Sequence, residues 1–245
     1  MKIDASTLVK RFGEKTAVDI ETYHVDDGEI VGLVGNNGAG KTTFFRLMLD
    51  LLKADNGEVA FTLTCGEAEQ REEVRILPAQ SEDWKVHTGS YIDEGFLIDF
   101  LTPEEYFAFI GKLNGMDKAR IEARMEDFAE LMAGEILGQK KLIRDFSAGN
   151  KQKVGIIAAL FNKPDLLILD EPFNFLDPSS QHVLKRVLTD YNTETGATII
   201  ISSHNLAHTI DISSRITLLE HGKIVKDLNN EQHAAEQELI DYFGE

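Results

Sequence analysis

The sequence predicts an α/β fold: a parallel-sheet core, an antiparallel β-subdomain and an inserted α-helical subdomain. Three observations predict it. Continuous apolar runs at Ile30–Val34, "LLIL" (166–169) and "ATIII" (197–201) each end in polar residues, the pattern of strands buried on both faces of a helix-covered sheet. Residues 1–31 and 57–63 instead alternate apolar and polar, as half-buried antiparallel strands do. Residues 95–160 repeat apolar positions at helical spacing. Their first helix starts at "LTPEEYFAF", with Pro103 and two acids in its first turn.

In chain order, the β-subdomain gives way to the strand at 30–34, a glycine-rich loop and an apolar helix start at 44–49. Residues 30–52 and 165–221 read as strand–helix units of the parallel core. The stretch "DKARIEARMEDFAELM" (117–132) reads as amphipathic helix, and "NNEQHAAEQELIDYFGE" as one short amphipathic helix at the end. The expected division is one domain over 1–245. Residues 1–94 and 165–225 form the core with its β-subdomain, 95–164 the helical subdomain, and 226–245 a C-terminal helix.

A length of 245 residues suits a single large domain. A net charge of −17 argues against a nucleic-acid partner, because phosphate backbones attract basic surfaces. The single cysteine, Cys65, cannot close an internal disulfide and reads as a small buried apolar side chain, which fits a reducing compartment. "MKIDASTLVKRFG" has no signal-peptide core. The longest apolar stretch, "VGIIAALF" (154–161), falls well short of the roughly 20 residues of a membrane span.

The loop Gly35-Asn36-Asn37-Gly38-Ala39-Gly40-Lys41-Thr42, followed by Thr43, matches G-x-x-x-x-G-K-[ST] between a strand and a helix. Glycines let the backbone curl so that its N–H groups form an anion nest at a helix N-terminus. Lys41 is placed to reach β- and γ-phosphates, and the Thr42 hydroxyl to ligate Mg²⁺. A plain strand-to-helix turn would explain one or two glycines but not the lysine and threonine in register. The core is therefore expected to be a P-loop NTPase core. "LLILDEP" (166–172) sets Asp170 and Glu171 at a strand's C-terminal end, where ligands bind in open α/β sheets. Asp170 is expected to hold Mg²⁺, and Glu171 to act as general base on the attacking water. His204, after a third buried-strand pattern, is expected to contact the γ-phosphate and that water.

The segment "DFSAGNKQKVGIIAALFNKPDLLILDEPFNFLDP" (145–178) resembles the ATP-binding cassette family of ATPases. Ser147-Ala148-Gly149-Asn150 is similar to the family signature, with alanine for its first glycine and asparagine for its glutamine. Phe175-Leu176-Asp177-Pro178 resembles the D-loop, and Ser202-Ser203-His204 the switch histidine. The resemblance runs over nearly the whole chain and implies ATP with Mg²⁺ as the ligands. It also implies that the signature binds ATP held by an opposing cassette, in a homodimer or heterodimer that closes head-to-tail. "LVKRFGEKTAVD" (8–19) resembles the adenine-stacking segment, with Phe12 in the place of the usual tyrosine and Val18 against the base or ribose; Phe12 as a core aromatic is the rival reading. In the switch loop Asp93 takes the place of the family's glutamine, with Gln80 the alternative if the register slips. An acid there can ligate Mg²⁺ but cannot donate as an amide does.

The resemblance further implies that residues 96–101 line a groove for a helix of a membrane permease, although core packing accounts for some of the same side chains. "FLTPEEYFAFIGKLNG" (100–115) resembles exporter-type cassettes. The expected function is the ATP-hydrolysing subunit of a transporter, peripheral on the inner face of the cell membrane with the permease on another chain, and export as its direction. The competing readings are a soluble ATPase of the same fold in DNA maintenance or translation, and a regulatory cassette without turnover. No coiled-coil insertion or second cassette supports the former, and Lys41, Asp170, Glu171 and His204 together weigh against the latter.

Overall fold

The computed structural model describes residues 1–65 and 72–244. Two sheets carry the fold. The first is antiparallel, in the order β2-β1-β4-β5, from β1 (Lys2–Phe12), β2 (Lys15–Val25), β4 (Asn56–Cys65) and β5 (Glu72–Ile76). The second has six strands in the order β10-β9-β3-β8-β7-β6, from β3 (Ile30–Val34), β6 (Thr88–Tyr91), β7 (Leu166–Leu169), β8 (Thr198–Ser203), β9 (Arg215–Glu220) and β10 (Lys223–Asn229). All its neighbours are parallel except β9 and β10.

The three apolar runs of the sequence are the three central strands, and every residue of β3, β7 and β8 is buried. Alternation along β7 and β8 splits them between two cores. Leu166, Ile168 and Ile200 join Phe44, Phe45 and Phe61 beneath the antiparallel sheet. Leu167, Leu169, Ile199 and Ile201 face the helices, where Phe107 and Phe161 stack at 5.4 Å. The antiparallel sheet, the parallel sheet and the helices thus form three layers.

The helices of the second core are α2 (Pro103–Leu113), α3 (Lys118–Glu126), α4 (Ala129–Met132) and α5 (Ala148–Leu160). Thr102 and Glu105 form a complete capping box at the start of α2. The periodic stretch 117–132 is two helices rather than one, broken between Glu126 and Ala129. Helix α5 lies close on β6. A Cβ on Gly155 would stand 2.0 Å from the Tyr91 ring, so only glycine permits the contact.

α1 (Lys41–Met48), α6 (Pro178–Thr195) and α7 (Leu206–Ile212) complete the strand–helix units. The end of the chain departs from expectation. Residues 226–229 belong to strand β10, and the helix α8 covers only Glu236–Gly244. The strand alternates half-buried and exposed residues against β9. Its polar composition hid it inside a stretch that reads as helix. Buried Asn230 ties the end of β10 to the C-terminal end of α7: its Nδ2 donates to Ile210 O at 2.9 Å and Ser213 O at 2.8 Å. The Cys65 side chain, expected to be buried, lies outside the described residues. Trp84 is buried edge-on against Phe61, as a structural aromatic. No described helix is long and apolar enough to cross a membrane.

Candidate active site

The C-terminal ends of β3, β7 and β8 converge on one place. From β3 the chain enters the loop 35–40 and then α1. Gly40 sits at φ 113°, in the left-handed region, and a Cβ there would stand 2.4 Å from Ala17 O; at Gly35 it would stand 2.2 Å from Leu219 O. The loop is therefore wedged between β2 and β9, with Ala39 O accepting from Gly222 N at 2.7 Å. Lys41 is buried, and its Nζ donates to Gly35 O at 2.6 Å and lies 3.5 Å from Asn36 O. Gly35 and Asn36 thus hold the lysine from behind. Residues 37–43 line a cavity of about 310 Å³ with Phe12, Lys15, Ala17 and Glu171.

Phe12 is 52% exposed at this cavity, which removes the core-aromatic reading and leaves its ring free to stack. Lys10 Nζ stands 5.6 Å from the ring centroid. Val18 does not face the cavity. It is fully buried in the core beneath the antiparallel sheet, and Ala17 takes the wall position instead. The pairing of β1 with β2 steps from Lys10↔Val18 to Arg11↔Thr16, so Ala17 is the extra residue of a bulge. Adjacent strand residues point to opposite faces, and a one-residue offset moves the contact.

Asp170, at the end of β7, is 6% exposed. It accepts from the Thr42 hydroxyl at 2.5 Å and from the Ser202 hydroxyl, and its backbone N donates to Tyr91 O at 2.9 Å. Burial pushes its carboxyl above the ordinary value of 3.8; the Ser202 and Thr42 hydroxyls oppose this, Glu171 adds to it and Lys41 opposes it. The donor set of Thr42 and Asp170 is oxygen only, which suits a hard cation. Among the described residues no cluster of three or more His, Cys, Asp or Glu forms a metal cage. A hard cation such as Mg²⁺ is held through one or two carboxylates together with substrate phosphates.

Glu171 has a left-handed backbone at φ 48°, a strained position for a residue with a Cβ. Three bonds hold it there: its N donates to Ser202 Oγ at 2.9 Å, and its carbonyl accepts from Gln152 Nε2 and from Asn174 N, each at 3.1 Å. Its Oε2 accepts from His204 N at 3.3 Å and stands 2.8 Å from His204 Nδ1, so the ring carries its proton on Nδ1 to donate. Its Oε1 is 3.5 Å from Lys41 Nζ. Lys41, Thr42, Asp170, Glu171 and His204 therefore form one connected network. Ser202 links its two acids, a role the sequence reading missed. The available signal was a pair of serines closing an apolar strand, because fully buried polar side chains need a reason.

Asp93 follows β6 and caps the single turn Glu94–Phe96, accepting from Gly95 N at 2.8 Å. Its other oxygen takes Arg46 Nη2 at 3.1 Å. It stands beside Asp170 and Glu171 around a second cavity of about 230 Å³. Gln80 lies in the exposed turn after β5 and lines neither cavity.

Ser147 caps α5, accepting from Asn150 N at 3.3 Å. Ala148 faces the second cavity. Gly149 lies against Phe175 O, which a Cβ would approach to 2.6 Å. None of the four signature residues lines the P-loop cavity. Asp177 caps α6 through Ser180 N at 3.0 Å and Ser180 Oγ at 2.6 Å, and these bonds hold its carboxyl below the ordinary range. The apolar stretch after Asp93 divides: Phe96 and Phe100 are exposed, while Leu97, Ile98 and Leu101 pack on the helical core.

A family profile described as "ABC transporter" matches residues 19–174, well over half the chain. The chain belongs to the ABC transporter ATP-binding family. It is 34% identical to a bacitracin transport ATP-binding protein of Enterococcus faecalis, over 98% of this chain and 73% of that protein. A solved ATP-binding subunit of an ABC transporter superposes with a TM-score of 0.78 at 25% identity, covering 100% of this chain and 94% of the other. A dimeric ATP-binding cassette in a post-hydrolysis state, bound to ADP and Pi, superposes with a TM-score of 0.76 at 21% identity, over 93% and 98% of the two chains, and so shares the fold. This cassette is accordingly an ABC-family ATPase with the mixed α/β architecture expected from its sequence.

Proposed function

We propose that this cassette hydrolyses ATP to power a separate membrane permease, in the direction of export. The observation that carries the reading is the single network of Lys41, Thr42, Asp170, Glu171 and His204 at the ends of three parallel strands, beside an exposed aromatic ring. Phe12 stacks on adenine. The N–H groups of 37–43 cradle the phosphates, and Lys41 leaves Gly35 O and Glu171 to reach the β- and γ-phosphates. Thr42 and Asp170 hold Mg²⁺, which when bound supplies neutralisation of phosphate charge. Once Lys41 departs, Glu171 is free to take the proton of the attacking water, and His204 orients that carboxylate through Nδ1.

The start of α5, with Ser147 as its cap and bare Gly149 beside it, donates to the γ-phosphate of ATP on a second cassette, and Asp177 lies in the loop that meets that partner. The placement of the signature outside its own P-loop cavity supports this arrangement. The dimer is of two such cassettes, alike or different. Phe96 and Phe100, exposed directly after the switch acid, fit a docking surface for a permease helix. The cassette then lies peripherally on the inner face of the cell membrane, with no nucleic-acid partner. Export rests on the resemblance of residues 100–115 to exporter-type cassettes, and the permease sets the substrate.

The test is purification of tagged Glu171→Gln from membranes with ATP. Recovery of a multi-span membrane protein supports the reading. Recovery of soluble factors alone, from a chain that still dimerises with ATP, overturns it in favour of a soluble ATPase.

A further inference from the structure

Asp93 lines two cavities at once. One holds Asp170 and Glu171. The other, of about 480 Å³, is walled by Thr43 and Arg46 of α1 together with Phe12 and Phe96. Both oxygens of the Asp93 carboxylate are engaged away from Asp170: Arg46 Nη2 holds one at 3.1 Å, and the other caps Gly95 N. Arg46 comes one helical turn after Thr42, so it rides on the helix whose first residues form the cradle. Its Nε is buried with no partner among the described residues. Among the described residues the guanidinium makes one ion pair, with Asp93. The next acid is tied elsewhere: Glu94 Oε2 is 3.3 Å from Lys151 Nζ on α5, the helix that opens with Ser147. Two consecutive acids thus bridge the two helices whose N-termini are built for phosphate, immediately before the exposed Phe96.

We propose that Arg46 is a positioning residue for Asp93. It latches the carboxylate against α1, and opening of the latch admits Asp93 to the metal beside Asp170 and Thr42. Glu94 and Lys151 couple the latch to α5, so that a shift of the helical subdomain, or of the segment bearing Phe96, opens it. This rests on the reading of Thr42 and Asp170 as metal-binding. A carboxylate explains why the latch exists: an amide in its place would make no ion pair with arginine, and an unrestrained acid would add negative charge where the γ-phosphate must enter. Both partners are about half-exposed, so the latch is weak enough to be opened by docking.

The test is calorimetric binding of ATP across a Mg²⁺ titration in the Glu171→Gln background, which reads metal dependence without turnover. Arg46→Met keeps the apolar stem and removes the latch. It is expected to lower the half-saturating Mg²⁺ about two- to fivefold, the range of an exposed ion pair. Arg46→Lys restores the wild-type value at least in part, and in an Asp93→Asn background Arg46→Met has no effect. If Arg46→Met leaves the half-saturation unchanged, or shifts it equally with Asn at 93, the latch is wrong while metal binding at Thr42 and Asp170 stands. If ATP binding is independent of Mg²⁺ in every variant, the reading of the metal site falls and the latch with it.

Discussion

Ser202→Ala removes one hydroxyl and strips two groups of a partner. In the native protein that hydroxyl donates to Asp170 and accepts from Glu171 N at 2.9 Å, and Ser202 is fully buried. A buried group left unsatisfied costs about 1–3 kcal/mol, and an alanine methyl can replace neither bond. Asp170 keeps the Thr42 hydroxyl, so its share is at the lower end. The Glu171 N–H keeps nothing, and it anchors a backbone at φ 48° that is itself strained. The sum is about 2–3 kcal/mol of stability, or roughly 5–10 °C in Tm for a domain of this size. The functional loss should be larger. Relaxation of Glu171 toward an unstrained backbone carries the carboxylate away from the attacking water, and a displacement of about 1 Å costs on the order of 10²-fold in rate. Thermal unfolding and ATPase assays on purified Ser202→Ala, with Ser203→Ala beside it, read both numbers. Among the described residues the Ser203 hydroxyl donates only to Asn205 O and accepts only from Asn205 N, within its own turn, so its removal should spare kcat. If Ser202→Ala keeps wild-type kcat within twofold, the claim that Ser202 holds the two acids in register is refuted.

Other outcomes follow from the same geometry. Glu171→Gln should lower kcat by about 10²–10⁴-fold while ATP binding, read by calorimetry, persists. Phe12→Ala should weaken ATP binding by about 1–3 kcal/mol, with Phe12→Tyr close to wild type, whereas Val18→Ala should cost about 1–3 kcal/mol of stability and leave KM for ATP unchanged. Asp170 gives a pH signature. Burial raises its carboxyl above 3.8, so the folded nucleotide-free protein holds that proton more tightly than the unfolded chain. Its stabilising contribution is present at low pH and is lost as pH rises through the raised value. Asp170→Asn should therefore melt higher than wild type at neutral pH without nucleotide, while its ATP binding loses Mg²⁺ dependence.

The parts of this protein that could be read along the chain are those that chemistry compresses into a few consecutive residues. The loop 35–42 and the pair Asp170-Glu171 carry their context with them, because an apolar strand precedes each and fixes which end of the sheet they occupy. The signature was legible through its resemblance to the family motif, and its first residue, Ser147, caps α5. What stayed hidden depends on pairing between segments far apart in sequence. Ser202 meets Asp170 because β7 and β8 pair Leu169 with Ile201. Arg46 meets Asp93 across 47 residues, and neither position shows the other. The bulge that puts Ala17 rather than Val18 on the cavity wall is a one-residue step that alternation alone does not locate. Strand β10 escaped because an edge strand with charged outward positions has the same polar composition as the flanks of a helix.

The central claim is that each ATP site is built from the P-loop of one cassette and the signature of another. Mixing two inactive variants tests it most directly. Lys41→Ala loses the cradle but keeps its signature, and Ser147→Arg blocks the start of α5 but keeps its cradle. Each alone should hydrolyse little ATP. In a head-to-tail pair of the two, one site is intact and the other doubly broken. Mixing in equal amounts should then restore roughly a quarter of the wild-type rate, since half the pairs are mixed and each has one good site. A mixture no more active than its components would contradict the shared site and confine the chemistry to one chain.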